Sequence, residues 1–367
     1  MITTHLGRRI SAALLILGSL GISACGSSGS APTTDATVET VVVVGFDNDQ
    51  SRVLTEVYAQ ALEKAGIRVG RKDPVADLAE GYAAINSGQA DILITYTGDL
   101  LAQVIAAEPA AAAATTTAAP ASSVTTIAST STVAAATTTT TTAPPEPAAP
   151  VVTVAGATTT TVGPPVSSGQ STADRVTAQI NAIGEILPST MLFGAPSLAQ
   201  DKPSIVCSNS VATANSLATM SDLAAAANLV TLGSTADFAA STSFGLAGFT
   251  KLYGAMFSNV VQLDETKVAD AIAKGDVGCG VMRSTDHNIT SDMSQLEDNL
   301  GLATDQAVLP LISSAASTPD ITQRLDAISS ALGTADIRAM MHAIIVSKGR
   351  PTIVAENWLR SVGVSTP

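Results

Sequence analysis

The chain has 367 residues, with 18 Lys and Arg against 31 Asp and Glu, which gives a formal net charge of −13 at pH 7. Nucleic-acid binding depends on clustered Lys and Arg that neutralise phosphates, so this composition excludes nucleic acid as a partner. The histidines are His5, His287 and His342, too few for a His-rich metal site or a Ser-His-Asp triad. We therefore expect neither a metal nor a cofactor.

Residues 1–24 have the form of an export signal. Two arginines precede an apolar run, 10–22, whose 13 residues are too few to span roughly 30 Å of hydrocarbon as a helix. The run leads into the sequence Ile-Ser-Ala-Cys, which resembles a bacterial lipobox and ends at Cys25. Lipidation of Cys25 would anchor the protein on the extracytoplasmic face of the cell membrane, with 25–39 as a flexible tether. An ordinary secretory signal with a chance cysteine is the alternative.

Residues 40–105 alternate between strand and helix patterns. Apolar residues recur at helical spacing from Val53 to Leu62, and Ser51 or Asp49 is the expected cap of that helix. Strands that alternate with helices predict a parallel sheet, and ligands gather at the carboxyl ends of such strands. The predicted strands are 40–44, 67–71 and 92–95, the second helix is 77–86, and the strand ends are 46–50 and 96–99.

Residues 106–170 break this alternation. Ala, Thr and Pro make up 45 of these 65 residues, and the only charged side chains are Glu108 and Glu146. Such a segment buries too little apolar surface to offset the entropy of ordering, so we predict a disordered insert without secondary structure. The composition is typical of an O-glycosylated stalk or of a neutral expansion in a surface loop.

The α/β pattern resumes after residue 171 and predicts a second lobe. Cys207 and Cys279 lie in short apolar strand-like runs outside the cytoplasm, where they form either a disulfide or two buried free thiols. We expect Ser221 to cap the helix that follows it. The predicted strands are 204–208, 229–232, 260–263, 277–282 and 307–312, and the predicted helices are 173–187, 221–227, 245–253, 266–274, 318–332, 335–348 and 351–362.

A set of short motifs resembles the substrate-binding proteins of osmoprotectant ABC importers, which bind glycine betaine, choline or carnitine. Their order and spacing, rather than any single motif, make the resemblance specific, and it covers about 40–105 and 171–363. The motifs are Glu56–Gly66, Gly81–Ile92, Thr95–Gly98, Met220–Leu223, Lys251–Gly254, Ala273–Val277 and Ser284–Asp286.

The resemblance implies a two-lobe, periplasmic-binding-protein-like (type II) α/β fold with a hinge between the lobes. Lobe 1 would comprise 40–98 and 284–363, and lobe 2 would comprise 99–105 and 171–283. It also implies a monomer that binds a small polar solute, either glycine betaine- or choline-like or an altered ligand, in the cleft between the lobes. The protein would deliver this solute to an ABC permease and ATPase complex and catalyse no reaction.

The resemblance further implies an aromatic cage for a quaternary ammonium, because such a cation donates no hydrogen bonds. Tyr96 fits one cage position, and Asp201 matches an acidic residue beside the cage. Other cage positions fall on Pro203, Arg283 and Gln306, and the basic residue expected for a carboxylate between 238 and 248 is missing.

The charged residues at the expected site favour opposite ligands. Arg283 favours an anionic or zwitterionic solute, whereas Asp47, Asp49 and Asp99 favour a cationic one. Asp286, in the motif after Arg283, completes the candidate ligand-binding residues.

The leading hypothesis is an extracytoplasmic solute-binding lipoprotein of an ABC importer. The alternative is a degenerate binding protein that has lost its solute and acts as an envelope interaction or structural lipoprotein. A hydrolase is disfavoured, because His287 beside Asp286 has no nucleophile elbow and no metal-ligand spacing.

Overall fold

The computed structural model describes the backbone of residues 40–116 and 170–364, and the side chains of 40–107 and 170–364. The predicted signal peptide, Cys25, the tether and residues 117–169 of the insert lie outside the described residues. No helix in the described part of the chain is both long enough and apolar enough to cross a membrane.

Strands and helices alternate along the described chain. The strands are β1 (Val41–Val44), β2 (Val69–Arg71), β3 (Ile92–Tyr96), β4 (Met191–Phe193), β5 (Pro203–Ser208), β6 (Thr231–Ser234), β7 (Asn259–Gln262), β8 (Cys279–Arg283), β9 (Met293–Gln295) and β10 (Val308–Ser313). The helices are α1 (Asp49–Lys64), α2 (Leu78–Asn86), α3 (Thr97–Thr116), α4 (Thr172–Ile186), α5 (Asn209–Ala214), α6 (Met220–Ala225), α7 (Ala236–Ala240), α8 (Leu246–Tyr253), α9 (Glu265–Lys274), α10 (Pro319–Ala331), α11 (Thr334–Ile345) and α12 (Pro351–Ser361).

The first lobe is built on a five-stranded sheet in the order β2-β1-β3-β10-β4. β1 pairs in parallel with β2 and β3, and β10 pairs antiparallel with β3 and β4. Helices α1, α10, α11 and α12 supply the core on one face, and α2, α3 and α4 supply it on the other. Because both faces are covered, the central strands are continuous apolar runs such as the four valines of β1.

The second lobe is built on another five-stranded sheet, in the order β7-β6-β8-β5-β9. β6 pairs in parallel with β7 and β8, whereas β5 runs antiparallel to β8 and β9. One face packs on a core that includes Met220 and Phe249, and the other packs on Val268 and Ile272 of α9.

The chain passes between the two sheets twice, through crossover segments 194–202 and 296–307. These positions differ from the lobe boundaries that we expected from the resemblance, because β4 lies in the first sheet and β9 lies in the second. Helix α4 belongs to the first lobe since Ile183 packs in the core with Leu100 of α3. The low-complexity insert therefore connects two neighbouring helices of one lobe, rather than following a crossover.

Several local expectations require correction. Asn48, rather than Ser51 or Asp49, caps α1, and its side chain accepts a hydrogen bond from Ser51 N. Thr219, rather than Ser221, caps α6 in a capping box with Asp222. Helix α3 continues to Thr116, so the first part of the insert is helical and not without secondary structure. The three-residue strands β4 and β9 and the short helices α5 and α7 were not predicted, because such short elements carry no periodic pattern.

Cys207 and Cys279 are joined by a disulfide in the structure. The two residues lie directly opposite each other in the antiparallel β5–β8 pair, and both are fully buried. The bond therefore links two central strands of the second sheet inside its core.

Candidate functional site

Polar side chains from both lobes meet around Asp201, at the end of the first crossover. Gln50 in the first turn of α1 donates its Nε2 to the Tyr96 hydroxyl at 2.7 Å and to Asp201 Oδ2 at 2.7 Å. Tyr96 is the last residue of β3, and Gln50 follows the loop after β1. Gln50 thus links the carboxyl end of β3 to the Asp201 carboxylate.

The second lobe reaches the same carboxylate through the end of β8. Arg283 donates Nε to Asp201 Oδ1 at 2.9 Å and Nη2 to the Asp201 carbonyl at 3.0 Å. Thr285 donates its hydroxyl to Asp201 Oδ1 at 2.8 Å. We call these five residues, which include Gln50 and Tyr96, the Asp201 network.

The pKa values within the Asp201 network are displaced by burial and by neighbouring charge. Burial and the negative charge of Asp201 raise the pKa of the Tyr96 hydroxyl, although the hydrogen bond from Gln50 and the charge of Arg283 oppose this. Burial lowers the pKa of Arg283, but the bond and charge of Asp201, with Tyr96 and Glu265, outweigh burial and raise it overall. Tyr96 is therefore a neutral phenol and Arg283 a permanent cation at physiological pH.

A cavity of about 820 Å³ opens beside the Asp201 network, at the carboxyl ends of β6, β7 and β8. This volume falls within the range that small-molecule sites have. Arg283 belongs to both the network and the cavity wall. The other lining residues are Pro203, Thr235, Ala236, Asp237, Phe238, Ser241, Phe244, Gln262, Leu263, Asp264, Glu265, Lys267, Val281 and Met282.

The remaining candidate residues make local contacts apart from the cavity. Asp47 and Asp49 are exposed and pair with Arg52. Asp99 is exposed and accepts a hydrogen bond from Gln306 Nε2 at 2.6 Å. Asp286 accepts bonds from the backbone and side chain of a neighbouring asparagine in the turn after β8. The structure thus brings together Tyr96, Asp201 and Arg283 and leaves these four carboxylates outside that cluster.

The positions where the resemblance expected aromatic residues have other contacts. Pro203 lines the cavity at the start of β5. The Gln306 side chain accepts hydrogen bonds from the backbone N–H groups of Gly98 and Asp99, and so satisfies the first turn of α3. The aromatic residues of the cavity wall are Phe238, which is 4% exposed, and Phe244, which packs edge-on against it with ring centroids 5.1 Å apart.

The two crossovers are joined by a buried ion cluster. Asp305 of the second crossover accepts a bond from Lys202 Nζ at 2.5 Å and one from Arg175 Nε at 2.6 Å. All three side chains are less than one-tenth exposed. Arg175 lies in the first turn of α4, which follows the low-complexity insert, so the start of α4 is attached directly to the second crossover.

Sequence reasoning missed Gln50 and Thr285 as members of the Asp201 network. Gln50 lies in a predicted strand end, 46–50, and Thr285 lies in the family motif Ser284–Asp286. Their side chains carry no charge, so they were not selected as binding residues. Their role depends on which groups the fold places opposite them. Among the described residues, no cluster of His, Cys, Asp or Glu could hold a metal ion.

Comparison with protein families decides the classification. The family described as the substrate-binding domain of ABC-type glycine betaine transport systems matches residues 39–163 and 177–361. The chain belongs to this family. It is a substrate-binding domain of an ABC-type transport system. The family is a transport family rather than an enzyme class. No curated protein matches the chain in sequence.

Solved structures show the same fold. The crystal structure of a glycine betaine/carnitine/choline ABC transporter matches with a TM-score of 0.62 and 15% identity, over 88% of this chain and 99% of that chain. Apo YehZ from Escherichia coli matches with a TM-score of 0.63 and 18% identity, over 89% of this chain and 99% of that chain. The substrate-binding domain thus has the expected two-lobe, type II periplasmic-binding-protein fold.

Proposed function

We propose that this protein is the lipid-anchored, monomeric solute-binding component of an ABC importer, which binds a small polar solute beside the Asp201 network and delivers it to the permease. The observation that carries this proposal is the cavity of about 820 Å³ at the strand ends of the second lobe, bordered by Arg283. Ligands of open α/β sheets bind at such strand ends.

The geometry is suited to binding that is coupled to movement of the lobes. The Asp201 network joins residues of both lobes across one crossover, and its bonds are short and mostly charge-assisted. A solute that contacts Arg283 would therefore alter a link between the lobes. This relation supports a hinged binding protein over a rigid structural one.

Membrane attachment is proposed from the sequence alone. The lipobox-like motif places the lipid on Cys25, after removal of residues 1–24. A single acyl chain binds a membrane marginally, whereas several anchor it stably. Replacing Cys25 with Ala should release the protein from the membrane fraction, and unchanged membrane association would contradict the anchor.

The degenerate alternative draws support from the absence of aromatic residues at Pro203, Arg283 and Gln306. At the wall of the cavity, Nη1 of Arg283 makes no hydrogen bond to any described residue, and this unpaired donor supports solute binding over the alternative. A binding measurement separates the two proposals.

The test is thermal unfolding of the mature chain with separate additions of glycine betaine, choline, carnitine and each of the twenty amino acids. A ligand at a hundredfold excess over Kd stabilises the folded state by about 2.7 kcal/mol. Ser241→Trp should obstruct the cavity and reduce or abolish the shift, whereas Ser330→Trp on the exposed side of α10 should leave it unchanged. If no solute stabilises the wild-type chain, the degenerate alternative replaces this proposal.

A further inference from the structure

Arg283 presents unused hydrogen-bond donors to the cavity. Its Nε and Nη2 contact Asp201, but Nη1 makes no hydrogen bond to any described residue. The side chain is half exposed, and it lines the cavity wall. A guanidinium with one edge fixed and the other edge free is preorganised to bind a carboxylate.

Asp201, by contrast, is not available to a solute. Its Oδ1 accepts bonds from Arg283 and Thr285, and its Oδ2 accepts one from Gln50. Only 9% of its side chain is exposed. The acidic residue that the resemblance placed beside a cation is therefore neutralised by an internal cation, Arg283.

The cavity offers three carboxylates and a single partly exposed ring, Phe244, to the positive end of a solute. Asp237, Asp264 and Glu265 line it, are exposed, and make no side-chain hydrogen bond to any described residue, although Lys267 stands among them. Phe238 is almost fully buried against Phe244, so Phe244, which is partly exposed, is the one ring of the cavity wall that a solute can reach. A cage for a quaternary ammonium needs several ring faces, whereas an ammonium with N–H groups is bound well by carboxylates.

We propose that the cavity selects a zwitterion of the amino-acid class, whose carboxylate binds the free edge of Arg283 and whose N–H-bearing ammonium faces Asp237, Asp264 and Glu265. This inference rests on the proposed function and assigns its substrate class. Arg283 is then the residue that determines specificity, in place of an aromatic cage.

The test compares matched solutes on the wild-type mature chain, by calorimetric titration. Each of the twenty amino acids is measured first. The tightest binder is then compared with its N-trimethylated derivative, and glycine betaine is compared with choline. We expect the free amino acid to bind at least tenfold more tightly than its trimethylated derivative, and choline to give no detectable heat.

A variant pair then locates the carboxylate contact. Arg283→Gln should weaken binding of the amino acid at least tenfold, and Arg283→Lys should recover part of it. Arg360→Gln, at another exposed arginine paired with a carboxylate, should bind as the wild type does. Because the solute comparison uses the wild-type chain, the test remains decisive even if the Arg283 variants fold poorly.

The outcomes separate this inference from the proposed function. If choline or a trimethylated solute binds as tightly as the free amino acid, or if Arg283→Gln folds and binds unchanged, the inference is wrong while solute transport stands. If none of these solutes binds, the inference and the proposed function fail together.

Discussion

Arg283 and Asp201 form an ion pair between the last residue of β8 and the first crossover, with 2.9 Å between Nε and Oδ1. The arginine is half exposed and the aspartate is almost buried. The backbone carbonyl of Asp201 accepts a second hydrogen bond from the same guanidinium, and this bond helps to offset the entropic cost of ordering the arginine side chain. The pair therefore connects the cavity wall to the hinge.

Asp201→Asn should lower the free energy of unfolding by about 1–3 kcal/mol, since it removes the charge that assists three hydrogen bonds at a nearly buried site. Urea denaturation of the mature chain measures this change. Asp47→Asn is the control, because Asp47 pairs with Arg52 on the surface and such pairs contribute about 0–1 kcal/mol. Equal effects of the two variants would contradict the structural role of the Asp201 network.

Asp305→Asn should have a larger effect, about 3–5 kcal/mol, because it removes the carboxylate that forms ion pairs with the buried side chains of Arg175 and Lys202. Replacing the aspartate with an amide of the same shape isolates the loss of charge from a loss of packing. The measurement is again the urea midpoint, with the m-value checked to be constant. A loss below about 1 kcal/mol would show that water reaches the ion cluster.

Loss of the disulfide should also destabilise the second lobe. Cys207 and Cys279 are 72 residues apart, and removing a native disulfide that closes a long loop costs about 2–5 kcal/mol. The double variant Cys207→Ala with Cys279→Ala should therefore have a lower Tm than the oxidised wild type. The wild type in reductant provides the comparison, and titration of its two thiols after unfolding verifies that the disulfide is reduced. Equal Tm values for the oxidised and reduced protein would refute the stabilising role.

Asp222 should make stability depend on pH below about pH 4. Bonds from the Thr219 backbone and hydroxyl and from the Ala218 backbone lower the pKa of this carboxyl in the folded state. A lowered folded pKa means that its stabilisation is complete above the unfolded pKa, near 3.8, and is lost as pH falls through the folded value. Asp222→Asn should thus be less stable than the wild type at pH 7, and the difference should shrink towards pH 2.

Urea midpoints of both proteins at pH 7, 4 and 2.5 test this sign. Thr219→Val provides a graded comparison, because it removes the hydroxyl but keeps both backbone N–H donors to Asp222. The stability difference between Thr219→Val and Asp222→Asn should therefore change with pH less than the difference between the wild type and Asp222→Asn does. It should still change, because the two backbone bonds remain. A difference that grows as pH falls would contradict the assignment.

Most of the secondary structure could be predicted because the long elements carry strong periodic patterns. The helix after β1 and the strand run at Val41–Val44 are examples, since apolar spacing and β-branched residues identify them without tertiary information. The predicted family and fold class are confirmed by the family match and by the solved structures.

The division into lobes could not be read from the pattern. Membership of β4 and β9 depends on pairing with β10 and β5, which lie more than 80 residues away in the chain. Similarly, Asp47, Asp49 and Asp99 share a strand-end position with Tyr96, yet they bind Arg52 and Gln306 and remain exposed. A strand end predicts where polar residues gather, but it does not predict which of them face a cavity.

The sequence by itself determined the acidic charge, the export signal pattern, the alternation of strands and helices, and the likeness to a transport family, because composition, periodicity and motif order are local properties. The tertiary structure alone decided that Arg283 neutralises Asp201, that Gln50 joins both to Tyr96, and that Asp305 holds the crossovers together. Those contacts join residues as many as 151 positions apart in the chain, and only the folded arrangement of two sheets brings such charges within hydrogen-bonding distance.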